Sequence, residues 1–286
     1  MSTPRSDDSA DQPDDDQNLA RLVEAYFDQN AESLYTASRE HPLWLMARQI
    51  AFDNILRLLP EEPGERSAFV AGTAAWWFAR QLAEEGWQVT LGEISEKMME
   101  LYDDALDGFE QAERIAIRKV DFCAMPEVRS RGFRAVLLMG GALSDSARAP
   151  QAIREASRIA LPGALVVASA RNKYAAYSAG ASKRHLSDLK TLLSEGVTGW
   201  AKGYRPELFS AEELIGLVSM HDIEVRRAVS YPHFFGPVGD EAAGADAGLI
   251  SEYLELEKRY AATPSLLGKG PILDVLGQKK LEGTEN

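Results

Sequence analysis

The feature that most constrains this chain is a rhythm between Ser67 and Ala170, where short apolar runs alternate with segments of helical period. The runs are SAFVAG (67–72), WQVTLGE (87–93), IAIRKVD (115–121), FRAVLLMGG (133–141) and ALVVASA (164–170). Near-continuous apolar strands belong to sheets covered on both faces, and intervening helices make the neighbours parallel. The helices are read at Ala74–Glu85, from Ser95 (as cap) to about Asp107, and at about 147–160. Right-handed crossovers then give a Rossmann-like, doubly wound α/β fold. Later, Ser210 followed by Glu213 is a capping-box signature ahead of another helix and strand. A helix over about 248–262 and the strand PILDVLGQK complete an expected seven-stranded, mostly parallel sheet.

The flanks differ from this core. Residues 1–17 carry six Asp and one Arg with no large apolar residue beyond Met1, so the segment is expected to be a disordered acidic tail. From Asn18, Leu19, Leu22, Val23, Tyr26 and Phe27 recur at three- and four-residue spacing, and a second apolar stretch runs from Leu45 to Leu59. Residues 18–63 are therefore expected to form a helical lid. Over 171–208 the alternation loosens, as in a cap insertion. The expectation is one domain, 18–286, with no internal repeat of 20–50 residues.

Composition narrows the function classes. Lys plus Arg is 31 against 44 for Asp plus Glu, a formal charge of −13, and no basic stripe with interleaved aromatics is present. Nucleic acid and anionic membranes are thus poor partners, and a small-molecule ligand is expected. The single cysteine, Cys123, excludes a disulfide framework, and the four histidines are too scattered for a metal cluster, so no metal is expected. With no signal-peptide pattern and no run of 18 apolar residues, the expected setting is cytoplasmic. The oligomeric state is not legible.

Ligands of an open parallel sheet sit outside the carboxyl ends of its strands. The residues there are Gly72 and Thr73 after the first strand, Glu93 and Ile94 after the second, Asp121 and Phe122 after the third, Gly140 after the fourth, and Arg171, Asn172 and Tyr174 after the fifth. A carboxylate at Glu93 suits the two hydroxyls of a ribose, Asp121 an exocyclic amine, and Phe122 the face of a base. Asn172 and Tyr174 face the substrate side, and His233 in the loop SYPHFFGP is the plausible general base. Trp76 and Trp77 flank the site, one expected in the core and the other free to roof the ligand.

The stretches SAFVAGTAAWWFARQLAEEGWQVTLGEISEKMMELY, KVDFCAMP, FRAVLLMGGALSDS and REASRIALPGALVVASARNKYAAY resemble class I S-adenosylmethionine-dependent methyltransferases over residues 20–280. The resemblance implies S-adenosylmethionine as cofactor, with Glu93 on the ribose, Ile94 packed on adenine, and Asp121 and Phe122 framing the base. It also implies that the segment from Tyr26 to Tyr35 closes over the cofactor. The first motif departs from the family, which ends its first strand with an acid followed by three spaced glycines. Here Val70 replaces the acid, and Gly72 alone remains before Ala74 and Trp76. The cofactor's amino-acid end would then rely on backbone amides and on lid residues such as Tyr26 or Arg48. Three functions follow: methyl transfer to a small molecule, attack on the methionine chain with release of methylthioadenosine, or an inactive scaffold.

Overall fold

The computed structural model describes residues 12–60, 65–146, 148–180, 186–196, 206–235 and 247–281. Its centre is a sheet of β1 (Ser67–Gly72), β2 (Gln88–Glu93), β3 (Ile115–Lys119), β4 (Phe133–Met139), β5 (Ala160–Asn172), β6 (Leu208–Phe209), β7 (Ile223–Tyr231) and β8 (Ile272–Lys279). The order is β3-β2-β1-β4-β5-β8-β7, with β6 paired to β5. Every pairing except those of β8 is parallel; β8 runs antiparallel between β5 and β7. The fold is therefore the expected doubly wound α/β sheet, with the two-residue β6 as an eighth strand. The order reverses between β1 and β4, which places a crevice over their carboxyl ends.

Strand composition explains why the sheet is buried on both sides. In β1, Ala68 and Val70 pack into one apolar layer with Leu91 and Leu137, while Phe69 and Ala71 pack into the other with Val136 and Leu138. All four β1 residues are wholly buried. Gly92 makes room for Phe69, whose ring would lie 2.6 Å from any Cβ added there.

One layer of helices is α1 (Gln12–Glu40), α2 (Pro42–Leu56), α3 (Ala75–Glu84), α4 (Glu96–Leu106) and, later in the chain, α10 (Ala247–Tyr260). The sequence between carries α5 (Ala142–Ser146), α6 (Ala149–Ile159), α7 (Lys173–Gly180), α8 (Leu186–Glu195) and α9 (Ala211–Ser219). Both sequence-read caps form. Ser95 Oγ accepts from Met98 N at 3.1 Å, and Ser210 and Glu213 exchange the two bonds of a capping box.

Several boundaries differ from the sequence reading. Helix α1 starts at Gln12, inside the segment expected to be disordered, because Pro13 and three aspartates suit a helix N-terminus through fixed φ and the helix dipole. Residues 1–11 lie outside the described residues. The helix expected over about 147–160 forms as α6, and a further short helix, α5, precedes it. Strand β5 continues to Asn172, where Arg171 and Asn172 pair with β6, and helix α7 opens the segment expected as a cap. Of that segment, 181–185 and 197–205 lie outside the described residues. Among the described residues no helix is long and apolar enough to cross a membrane.

Candidate cofactor cavity

The carboxyl ends of β1 to β4 open into a cavity of the kind expected at the point where strand order reverses. Gly72, Thr73, Glu93, Ile94, Asp121 and Phe122 all line it, and α1 covers it with Val23, Phe27 and Leu34. Tyr26 is not in the lining. It stands one position from Phe27 and packs edge-on against that ring at 5.4 Å. One residue along a helix turns the side chain by about 100°, so the face that closes the cavity belongs to its neighbours.

Helix α1 is pinned over the cavity by polar contacts. Ser95 Oγ donates to Asp28 Oδ1 at 2.6 Å, and Lys119 Nζ bridges Glu24 at 2.8 Å and Glu96 at 2.6 Å. Asp28 thereby joins the cap of α4, tying the cover to the helix that follows Glu93.

Glu93 holds the centre of this wall. It is 9% exposed, and its Oε1 accepts from Ile94 N at 2.8 Å and Ser95 N at 3.0 Å. Among the described residues Oε2 has only the Tyr102 hydroxyl, at 3.5 Å, the outer limit of a hydrogen bond. Burial pushes the carboxyl up to about 7, with the Asp28 charge adding to it, while the two amides pull the other way. A carboxylate fixed on one oxygen and under-bonded on the other, at a cavity wall, is disposed to accept a ligand hydroxyl.

Asp121 sits beyond the end of β3. Its Oδ1 accepts from Cys123 N at 3.0 Å, and its Oδ2 pairs with Arg148 Nη2 at 2.5 Å. Arg148 and Asp145 line the same cavity, and Asp145 is paired with Arg171 at 2.8 Å. Sequence reasoning missed Arg148. Its partner lies 27 residues upstream, and neither helical nor strand periodicity links them. Cys123 is buried and its thiol is pushed up to about 12, which leaves it in the unreactive thiol form.

The loop after β1 has two left-handed positions, one held by Gly72 and the other by Ala74. Gly72 has φ +102, and a Cβ there would meet Met139 O at 2.3 Å and Ala142 Cβ at 2.7 Å. Ala74 has φ 67, a left-handed conformation that costs an L residue roughly 1–2 kcal/mol. Gly140, φ +68, lets the Thr73 carbonyl approach so closely that a Cβ would lie 2.1 Å away, so it serves the β1–β4 contact rather than the lining. Val70 is wholly buried in the apolar core.

Neither tryptophan roofs the cavity. Trp76 stacks on Tyr102 at 5.8 Å inside the core, and Trp77 packs edge-on against Phe52 at 5.6 Å. Arg48 is not a lining residue itself; its guanidinium lies over Trp77 at 4.9 Å and donates to the carbonyl of Ser38, which is one, at 2.6 Å.

Three residues read as substrate-side candidates are elsewhere. Asn172 is 1% exposed, and its amide nitrogen donates to Leu267 O at 2.7 Å and Gly270 O at 2.8 Å, anchoring the turn before β8. Its Oδ1 accepts from Tyr174 N at 3.1 Å, leaving Tyr174 exposed and set against Gly268. His233 is 2% exposed, its Nε2 lies 2.7 Å from Ser230 Oγ, and burial lowers its basicity. Glu257 of α10 accepts from His233 N, Phe234 N and Phe235 N, which makes this loop a packed corner of β7 and α10.

No family model matches the sequence, and no curated protein does. Solved structures do match in fold. The [4+2]-cyclase SpnF is 18% identical with a TM-score of 0.54, covering 81% of each chain. A SAM-dependent methyltransferase from Methanosarcina mazei is 16% identical with a TM-score of 0.54, covering 80% of this chain and 98% of its own. An S-adenosylmethionine-dependent methyltransferase from Mesorhizobium loti is 19% identical at 0.53, covering 80% and 97%. Together with the strand order, the antiparallel β8 and the cavity over β1 to β4, these likenesses establish that the chain has the class I S-adenosylmethionine-dependent methyltransferase fold.

Proposed function

We propose that this protein binds S-adenosylmethionine in the cavity over β1 to β4 and transfers its methyl group to a small-molecule acceptor. The observation that carries the reading is Glu93, an under-bonded lining carboxylate beside Ile94, with Asp121 and Phe122 at the next strand end. Glu93 would take the ribose hydroxyls, Ile94 and Phe122 the base, and Asp121 its amine. Gly72 and Thr73 line the side toward β4, where the amino-acid end would lie. The sulfonium supplies an already activated methyl group, so this chain's task is to hold the donor and exclude water. Phe27, Val23 and Leu34 of α1 supply that cover, and the Asp28–Ser95 bond keeps it down.

The apolar Val70 and the strained Ala74 favour a second reading, in which the cofactor's amino-acid end is loosely held and the chain itself is attacked. Products separate the two. Incubation with S-adenosylmethionine and a panel of small nucleophiles should release S-adenosylhomocysteine. Methylthioadenosine as the product would install the second reading. A bound but unchanged cofactor across the panel would point to a scaffold.

A further inference from the structure

We propose that Arg148 reads the nucleobase together with Asp121: the carboxylate accepts from the exocyclic amine of adenine while the guanidinium donates to a neighbouring ring nitrogen. This rests on the adenosine reading of the cavity and adds a residue to it.

Arg148 lies between α5 and α6, is 8% exposed, and lines the cavity beside Asp121 and Phe122. It is fixed along its length. Its amide donates to Ser146 Oγ at 3.2 Å, its carbonyl accepts from the Cys123 thiol at 3.7 Å, and Nη2 is held by Asp121 Oδ2 at 2.5 Å. A guanidinium has five N–H donors and no acceptor, so the bond to Asp121, the one its head group makes among the described residues, leaves most of them uncommitted, and the Asp16 charge also acts on it. The Nε proton is buried and meets no acceptor among the described residues. Asp121, with two lone pairs on each oxygen, keeps room for another donor despite its bonds to Arg148 and Cys123 N.

The wall therefore presents an acceptor and a donor side by side, already oriented by their mutual bond. A 6-aminopurine offers the complement: an amine flanked by the acceptors N1 and N7. Were Asp121 the sole reader, adenine would be recognised only through its amine. With Arg148 beside it, removing one ring nitrogen leaves a guanidinium donor unmatched in a site from which water is largely excluded.

The test is calorimetry on the full chain with 5′-methylthioadenosine and its 1-deaza and 7-deaza analogues. In the native protein one of the two analogues should bind about tenfold more weakly than the parent, on the scale of a charge-assisted hydrogen bond. In Arg148→Met that penalty should shrink below about twofold, while the parent itself binds more weakly. Asp121→Asn combined with Arg148→Met removes both charges, so no unpaired ion is left, and should show the same flattened ratio in a protein whose melting temperature confirms folding. Equal affinity for all three ligands in the native protein, or a penalty that persists in both variants, overturns the proposal. If the parent ligand does not bind the native protein at all, the adenosine reading fails, and this failure is distinct from the other two.

Discussion

The two ends of the cavity are built differently. At the ends of β2 and β3 the polar side chains suited to adenosine are present and oriented: Glu93 by two amides, Asp121 by Cys123 N and Arg148. At the end of β1 the side chains are apolar while the backbone takes left-handed turns at Gly72 and Ala74. Val70 fills core, Trp76 stacks on Tyr102, and Ala74 holds a left-handed φ of 67. Reading a polar residue requires its side chain, whereas a loop's path is enforced by packing against β4. Gly72 is the position where that packing admits no Cβ, and it is the glycine that remains.

The largest expected effect lies at the adenosine end. Glu93→Ala should cost roughly 2–4 kcal/mol of 5′-methylthioadenosine affinity, measured by calorimetry. An unchanged affinity would erase the contrast between the two ends.

The same residue gives a pH signature. Because burial raises the Glu93 carboxyl to about 7, protons compete with the ribose, and nucleoside affinity should fall by about tenfold from pH 8 to pH 6. Stability runs the opposite way: a carboxyl raised on folding contributes most below its unfolded value near 4.5, and that contribution is lost as pH rises through about 7. Glu93→Gln should therefore flatten the affinity profile and raise the melting temperature relative to the native protein at pH 8. A variant that melts lower at pH 8 would show that the charge itself supports the fold.

At the amino-acid end, the gap between S-adenosylmethionine and 5′-methylthioadenosine should be small, under about 1.4 kcal/mol, or tenfold. A gap near a hundredfold would mean that groups outside the β1 loop hold that end, with Asp145 and Arg171 the first to substitute.

The smallest effect is Ala74→Gly. Relief of the left-handed strain is offset by the extra freedom of glycine in the unfolded chain, so stability should rise by at most about 1 kcal/mol. Affinity for S-adenosylmethionine should tighten slightly, because the Cβ of Ala74 borders the cavity. A loss of stability would show that the methyl packs productively.

What the sequence made legible is what local pattern encodes. The five apolar runs became β1 to β5, Ser95 and Ser210 became caps, and the residues just after β1, β2 and β3 reached one cavity. What it hid depends on partners distant in the chain. Asn172 looked exposed to substrate until its amide met Leu267 and Gly270, 95 and 98 residues later. His233 looked like a loop base until Glu257 gathered its loop. Tyr26 failed by phase alone, since the helical period locates a face but not which neighbour touches a ligand. The Asp121–Arg148 pair was hidden, like Asn172, by distance in the chain, with its members 27 residues apart and on different parts of the fold.

The function turns on whether the ends of β2 and β3 hold an adenosine. Titration of the full-length native chain with S-adenosylhomocysteine at pH 8, followed calorimetrically, tests it directly. The expected result is saturable one-to-one binding in the micromolar range, matched by displacement with 5′-methylthioadenosine. No heat of binding from either ligand at millimolar concentration would contradict it.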